Sequence, residues 1–230
     1  RPVRWLLAMH GDAPIPFTFA GLTAGNATHG LRFLEPESKV VNSIGEYLQF
    51  LSGQGIILDP EQRKATIKEQ VNQICREIGA REIEDEGLLD EVNQLVEAPT
   101  ALLGKFDPVH LGLPPEVLIS VMKKHQRYFP VFDGNGKLMP HFIAVRNGDS
   151  RGIEVVTDGN EQVIKARFAD ANFFIAEDLK HKLEDMLERL GTLTFQHKLG
   201  SMLEKSRRME KIVDPLCDEL ALSADEKRNA

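Results

Sequence analysis

Residues 128–145 read YFPVFDGNGKLMPHFIAV, the segment whose local structure the sequence predicts most directly. Aromatic and β-branched residues stand on both sides of the segment 133–137, a short turn sequence with two glycines. This pattern is typical of two antiparallel strands joined by a tight turn. We therefore predict a β-hairpin, with Tyr128–Phe132 in the first strand and Phe142–Val145 in the second.

Helix signals precede the hairpin. Asp59-Pro60-Glu61 combines a capping carboxylate, a proline at the first helical position and an acidic residue near the positive end of the helix dipole. Apolar residues then recur at helical spacing. On such signals we predict four helices, over residues 43–53, 59–79, 88–96 and 114–122.

Strand-like segments lie in the same region. Residues 3–9 and 15–19 are predicted to pair as a hairpin, with Pro16 at a sheet edge because proline cannot donate to a strand ladder. Residues 21–30, rich in Gly, Thr and Asn, are predicted as loop or short strand, and residues 100–106 as a strand.

The character of the sequence changes near residue 150. Residues 154–179 have the pattern of one long helix, and residues 195–222 that of another, which Pro215 should kink or shorten near its end. We therefore predict an α+β fold in two parts: a mixed sheet-and-helix domain over residues 1–150 and a helical region with long helices over residues 151–230.

Composition limits the function. The chain has 230 residues and a net charge of −7, which argues against a protein that wraps nucleic acid through bulk charge. Local patches remain possible, since acid concentrates in residues 82–97 and base in residues 123–127 and 205–208. Cys75 and Cys217 are far apart, so we expect two reduced thiols.

Targeting and membrane signals are also missing from the sequence. No segment approaches the roughly 20 apolar residues that span a bilayer, and the start has neither an initiator Met nor the layout of a signal peptide. We expect a soluble piece of a longer chain that has no membrane partner.

Common catalytic motifs are absent from the sequence. It contains no G-x-x-x-x-G-K-[ST] phosphate loop, no G-x-S-x-G nucleophile elbow and no H-E-x-x-H metal helix. The seven histidines show no i, i+4 pair. We predict no catalytic residue, no metal site and no cofactor site in this chain.

The segment 123–129, KKHQRYF, places cationic side chains directly before aromatic ones. Cations can pair with phosphates and aromatic rings can stack on bases, so this is a candidate nucleic-acid surface. The alternative is a solvated helix end followed by sheet core, with Tyr128 and Phe129 buried. Arg32 and Arg146 have the same two interpretations: a contact to nucleic acid, or an ordinary surface or packing residue.

Several separated segments of the sequence resemble those of a known family. They are, in order, residues 1–5 (RPVRW), 28–33 (THGLRF), 124–129 (KHQRYF), 142–148 (FIAVRNG), 159–174 (GNEQVIKARFADANFF) and 195–201 (FQHKLGS). On this ordered set the chain resembles the β subunit of the bacterial, two-subunit type of glycyl-tRNA synthetase. One departure is Leu31, which stands where the family tends to have histidine.

The resemblance implies a part of a larger, cytoplasmic enzyme, glycine–tRNA ligase, which forms AMP from ATP. It implies that the α subunit, a hetero-oligomeric partner, forms glycyl-adenylate from ATP with Mg, and that the β subunit binds glycine tRNA. No cofactor is then expected in this fragment, which should not aminoacylate alone. By fold analogy, the mixed domain resembles the B3/B4 type of module of phenylalanyl-tRNA synthetase.

Three hypotheses about this fragment follow. In the first it binds the acceptor side of tRNA. The candidate residues for that role are Lys123, Lys124, His125, Arg127, Tyr128, Arg146 and Arg32.

In the second hypothesis the mixed domain hydrolyses mischarged tRNA, with His125 or His141 positioning water. In the third the fragment is purely structural, and the helices of residues 154–222 contact the α subunit or other parts of the β subunit. Exposed apolar residues on those helices would support the third hypothesis.

Overall fold

The protein was analysed as a computed structural model, which describes residues 3–32 and 38–229. The chain forms two compact units, Arg1–Asn172 and Phe173–Ala230. Helices and small sheets both contribute, so the predicted α+β class is confirmed. Within the described ranges, none of the helices is long and apolar enough to cross a membrane.

The N-terminal segment consists of short hairpins. Its strands are β1 (Met9–His10), β2 (Ala13–Pro14), β3 (Thr18–Phe19), β4 (Leu22–Thr23), β5 (Ala27–Thr28) and β6 (Lys39–Val40). They pair β1 with β2, β3 with β4 and β5 with β6, all antiparallel. Trp5 lies beside the His29 ring, with ring centroids 4.5 Å apart.

The predicted hairpin of residues 3–9 and 15–19 is therefore wrong in its extent. Pairing reaches only from Met9–His10 to Ala13–Pro14, with one further bond from Ile15 N–H to Ala8 O at 2.9 Å. Phe17 and Phe19 are 46% and 60% exposed. Among the described residues, Ile15, Phe17 and Phe19 are not covered by a packing layer, and alternation alone does not produce a long strand here.

Three helices follow, each capped by a polar side chain. They are α1 (Ile44–Gly53), α2 (Pro60–Glu77) and α3 (Glu86–Asn93). Ser43 accepts a hydrogen bond from Glu46 N–H at 3.1 Å, and Asp59 accepts from the first turn of α2 at 2.8 and 3.0 Å. These helices confirm the first three predicted helical segments. The predicted caps Ser43 and Asp59 fix the starts of α1 and α2, whereas α3 begins two residues before its predicted start, after an Asp85 cap.

The main sheet has three strands in the order β7-β9-β8, all antiparallel. Its elements, with the helices between them, are β7 (Pro99–Lys105), a 3-10 helix (Pro108–Gly112), α4 (Pro115–Ser120), a π-helical turn (Val121–Gln126), β8 (Phe129–Phe132) and β9 (Leu138–Asn147). The predicted 128–145 hairpin is confirmed as β8 and β9. Asp133 closes its turn by accepting from Asn135 and Lys137 N–H, each at 2.9 Å.

Both faces of this sheet are covered. On one face Phe129, Val131 and Ile143 pack with residues of α2 and α3. On the other, Phe142 and Ala144 pack with residues of α4, the π-helical turn and the long helix α5 (Ile153–Asp178). Side chains alternate along a strand, so neighbouring residues of β9 belong to different apolar cores.

Helix α5 confirms the predicted long helix, and Ile164 and Phe168 are its buried residues. The compact units divide within this helix, after Asn172, whereas the sequence places the boundary near residue 150. The physical reason is that the first part of α5 belongs to the core beneath the sheet. The division into a mixed domain and a helical region at residue 150 stays a prediction.

The second unit contains a 3-10 helix (Leu183–Thr192), β10 (Thr194–Gln196), β11 (Gly200–Ser201), α6 (Met202–Glu219) and α7 (Ala224–Asn229). The predicted start of the last long helix at residue 195 is wrong. Ser201 and Glu204 form a capping box that begins α6 at Met202, and β10 and β11 pair before it. The helix passes through Pro215 and ends at Glu219.

Candidate nucleic-acid interface

The basic run lies on a non-standard helical turn. Helix α4 continues into the π-helical turn, which Arg127 ends in the left-handed conformation with φ 61° and ψ 35°. Tyr128 N–H then donates to Met122 O at 3.0 Å as the chain enters β8. Glycine is the usual residue at such a helix end, so the Arg127 backbone costs on the order of 1 kcal/mol. Single π-helical turns are often found at functional sites.

Two cations of this turn are paired with helix α3. Lys123 Nζ contacts Asp85 Oδ2, and Arg127 Nε lies 2.6 Å from Glu91 Oε2. Arg127 also donates to the Lys124 carbonyl. The acidic and basic stretches, far apart in sequence, therefore meet in the structure. Nothing in the local sequence pattern could have indicated these pairs.

Lys124 and His125 differ from their neighbours because both are exposed. Within the part of the chain that the structure describes, neither makes an ion pair. Lys123 and Arg127 keep 38% and 40% of their side-chain surface exposed despite their partners. We call Lys123, Lys124, His125 and Arg127 together the cationic turn.

Asp85 links the cationic turn to the cap of α3. Its Oδ1 accepts from Leu88 N–H at 3.0 Å, while Oδ2 faces Lys123. Partial burial disfavours the charged form, but the Lys123 ammonium and the Leu88 N–H outweigh it and hold the pKa of Asp85 below its usual value. The carboxylate thus serves both the helix cap and the ion pair.

Replacing Asp85 by asparagine tests this coupling. Asparagine caps helices as well as aspartate, so Asp85→Asn removes the charge and keeps the cap. A lowered native pKa stabilises the fold above the unfolded pKa of about 3.9, and that stabilisation is lost as the pH falls through the native pKa. In urea titrations we expect the wild type to have a larger unfolding free energy than the variant near neutral pH. The difference should shrink as the pH falls below about 4 and through the native pKa of Asp85. A constant difference across this range would contradict the assigned pairing.

Tyr128 belongs to the core and not to the surface. It is 8% exposed, its ring is stacked on Phe142 with centroids 4.8 Å apart, and its hydroxyl donates to Asn160 Oδ1 at 2.9 Å. Burial raises the pKa of the Tyr128 hydroxyl. The ring faces are therefore not available to a base, and we leave Tyr128 out of the candidate surface as a correction to the sequence interpretation.

Arg146 lies on β9, and its side chain bonds to the segment before α5. It pairs in register with Thr100, and alternation along β9 places it on the face of Phe142 and Ala144. Its Nη1 donates to Arg151 O at 3.0 Å, at the approach to α5.

Arg32 is an exposed turn residue of the N-terminal segment, and its neighbour in the candidate block, Phe33, lies outside the described residues. Leu31, which replaces the histidine usual in the family, is only 4% exposed. Its N–H donates to Gln54 Oε1 at 2.6 Å. In this chain the position is thus occupied by an apolar core residue.

The histidines of the hydrolysis hypothesis lie on different elements. His125 is in the π-helical turn, whereas His141 pairs with Lys105 in the middle of the sheet. His141 is half-buried, and its Nδ1 is buried without a hydrogen-bond partner among the residues described. Over the same residues, no cluster of His, Cys, Asp or Glu side chains could hold a metal ion.

Comparison with known proteins adds a family match. The family model described as glycyl-tRNA synthetase beta subunit matches residues 1–230. Similar proteins named glycine–tRNA ligase beta subunit come from Clostridioides difficile (46% identity over 227 residues), Bacillus subtilis (45% over 226) and Moorella thermoacetica (44% over 225). These alignments cover 98–99% of this chain and 32–33% of each relative. The chain spans about a third of the length of the curated relatives it matches.

Proposed function

Since this chain belongs to the glycyl-tRNA synthetase β-subunit family, we propose that it works within a glycine–tRNA ligase as a tRNA-binding and scaffolding part of the β subunit. The reaction of such a ligase is the ATP-dependent glycylation of tRNA. The proposed partners are glycine tRNA and an α subunit, in the cytoplasm. ATP with Mg belongs to the α subunit in this proposal, and the role of this chain is to hold the RNA and the assembly.

The exposed cationic turn carries the tRNA-binding proposal. Lys124 and His125 project into solvent at the end of a helix, and Lys123 and Arg127 lie beside them with accessible side chains. Surface ion pairs contribute only about 0–1 kcal/mol each, so the carboxylates of Asp85 and Glu91 can be exchanged for RNA phosphates at little cost. Arginine can then bind a phosphate with two parallel hydrogen bonds.

Removing Lys124 and Arg127 together should weaken tRNA binding. We expect the Lys124→Ala/Arg127→Ala variant of the full subunit to bind glycine tRNA at least 10-fold more weakly at low salt. Its log–log salt dependence should flatten by about one to two units, since each lost phosphate contact contributes about 0.7–0.9 unit. The measurement is a titration of labelled tRNA at several salt concentrations, with a non-cognate tRNA beside it.

A matched control removes the same charge elsewhere. Lys137 in the β8–β9 turn and Lys211 on α6 are exposed, and Lys137→Ala/Lys211→Ala should leave the salt slope unchanged. Glu91→Gln should act in the opposite direction and raise tRNA affinity, because Arg127 loses its competing carboxylate. An unchanged slope in the Lys124/Arg127 variant, or an equal loss in the control, would reject the cationic turn as the RNA surface.

The scaffolding part of the proposal is supported by a different observation. The second unit exposes large apolar side chains, including Leu179 at 81%, directly after α5, and Leu183 at 85%, in the 3-10 helix. Exposed apolar surface of this extent marks an interaction site in a soluble protein. This is the feature that the structural hypothesis requires of the helices after residue 150.

A further inference from the structure

The second unit has very little core of its own. Over its described residues, Leu203 and Cys217 are the buried apolar side chains. The unit has about 60 residues, and a chain of that size is held together by its core only when the core is well filled. The unit therefore needs a covering surface from outside itself.

The apolar surface that needs a packing partner lies on helix α6. Four apolar residues at spacings of three and four lie along one side of the helix and its C-cap: Met209, Ile212, Leu216 and the C-cap residue Leu220. They are 56%, 59%, 52% and 61% exposed. We call these four residues the α6 stripe.

The α6 stripe is distinct from the side of α6 that is already packed. Leu203 and Cys217 face the interior of the unit, where α6 packs on the 3-10 helix Leu183–Thr192. At 100° per residue, Cys217 lies about 95° and Leu203 about 135° around the helix from the centre of the stripe. Lys211 lies on the side of the helix opposite the stripe, and it is exposed and charged, as a solvent face should be.

Covering the stripe would contribute substantially to stability. Burial stabilises a fold in proportion to the apolar area removed from water, and more than half of each stripe side chain is still exposed. The stabilisation still available at the stripe is large beside the small net stability of a domain. The partner surface is therefore a permanent part of the folded state and is apolar along a helix-sized strip.

A permanent cover is best supplied by the same polypeptide. A linked segment is present at an effective concentration in the millimolar range from the moment it is synthesised, whereas a separate subunit must first be encountered. The relatives named above are about three times as long as their match to this chain, so their remaining length can supply such a segment.

From these observations we infer that the α6 stripe packs against an apolar segment of the same β-subunit polypeptide, one that lies outside the 230 residues of this sequence. The α subunit and a second β subunit are excluded as occupants by this inference. It rests on the proposed function, because it takes the chain to be part of a longer β subunit, and it gives the scaffolding role a defined surface.

Site-specific photo-crosslinking tests the inference. A benzophenone amino acid is placed at position 212, and in a second variant at position 216, of the full-length β subunit, which is irradiated alone and together with the α subunit. A matched control carries the same group at position 211, on the opposite side of α6. Crosslinked peptides are then mapped by mass spectrometry.

The expected result is a crosslink from positions 212 and 216 to β-subunit residues outside this sequence. It should form within one polypeptide, in equal yield with or without the α subunit and at any protein concentration, and it should be absent at position 211. Crosslinks to the α subunit or to a second β subunit would overturn the inference, and so would the absence of any protein crosslink from positions 212 and 216. The readout is independent of tRNA, so a failure of the cationic turn to bind RNA would not affect it.

Discussion

Replacing Phe168 by alanine should lower the free energy of unfolding by about 4 kcal/mol, within the range usual for deletion of a fully buried phenylalanine ring. Phe168 has no exposed surface, and its ring meets Phe106 edge-on at 4.9 Å and His110 at 5.4 Å. The variant loses these contacts and leaves a cavity between α5 and the sheet. Urea denaturation followed by circular dichroism measures the difference.

Phe174 on the same helix is the matched control. Its side chain is 64% exposed, so Phe174→Ala should change the unfolding free energy of the 230-residue chain by less than about 1 kcal/mol. The two variants remove the same atoms from one helix and differ only in burial. Equal effects would mean that α5 does not present Phe168 to the core.

Gly104→Ala should destabilise the chain by about 3 kcal/mol, although it adds a single methyl group. A Cβ at this position would lie 2.2 Å from Cζ of Phe142, the residue that pairs with Gly104 across the sheet. Phe142 is fully buried and stacked on Tyr128, so its ring has no free space into which to move. Thermal and urea unfolding of the variant measure the effect.

A second glycine provides the control for this prediction. In the β8–β9 turn a Cβ on Gly134 would have no neighbour within 4 Å among the described atoms, and Gly134→Ala should be nearly neutral. Adding Phe142→Leu to Gly104→Ala should recover part of the lost stability, because the smaller side chain makes room for the methyl group. If Gly104→Ala proves as mild as Gly134→Ala, the close packing between β7 and β9 is not as described.

Local chemistry explains which elements the sequence predicted well. The Ser43 and Asp59 caps and the Asp133 turn act within a few residues of themselves, so their effects are visible in the sequence. Apolar spacing alone predicts a helix from Phe195, which places the start of α6 too early. The capping box of Ser201 and Glu204 determined the actual start.

The candidate site depended on non-local contacts and was predicted less completely. The ordered set of sequence blocks indicates the family, and the basic residues 123–127 indicate a candidate RNA surface. The pairing of Arg127 with Glu91 joins residues 36 positions apart, which no spacing rule detects. The sequence also left open whether Tyr128 faces solvent or core, since an aromatic residue before a strand occurs in both places.

The contact between Trp5 and His29 determines what intrinsic fluorescence can report. Trp5 is the only tryptophan of the chain, and it lies in the N-terminal segment of short hairpins, 43% exposed. Its emission therefore monitors the environment of that segment and is insensitive to the packing of the three-stranded sheet. Loss of tryptophan signal during unfolding would record the release of the N-terminal hairpins, while the core around Phe142 and Phe168 could still be intact.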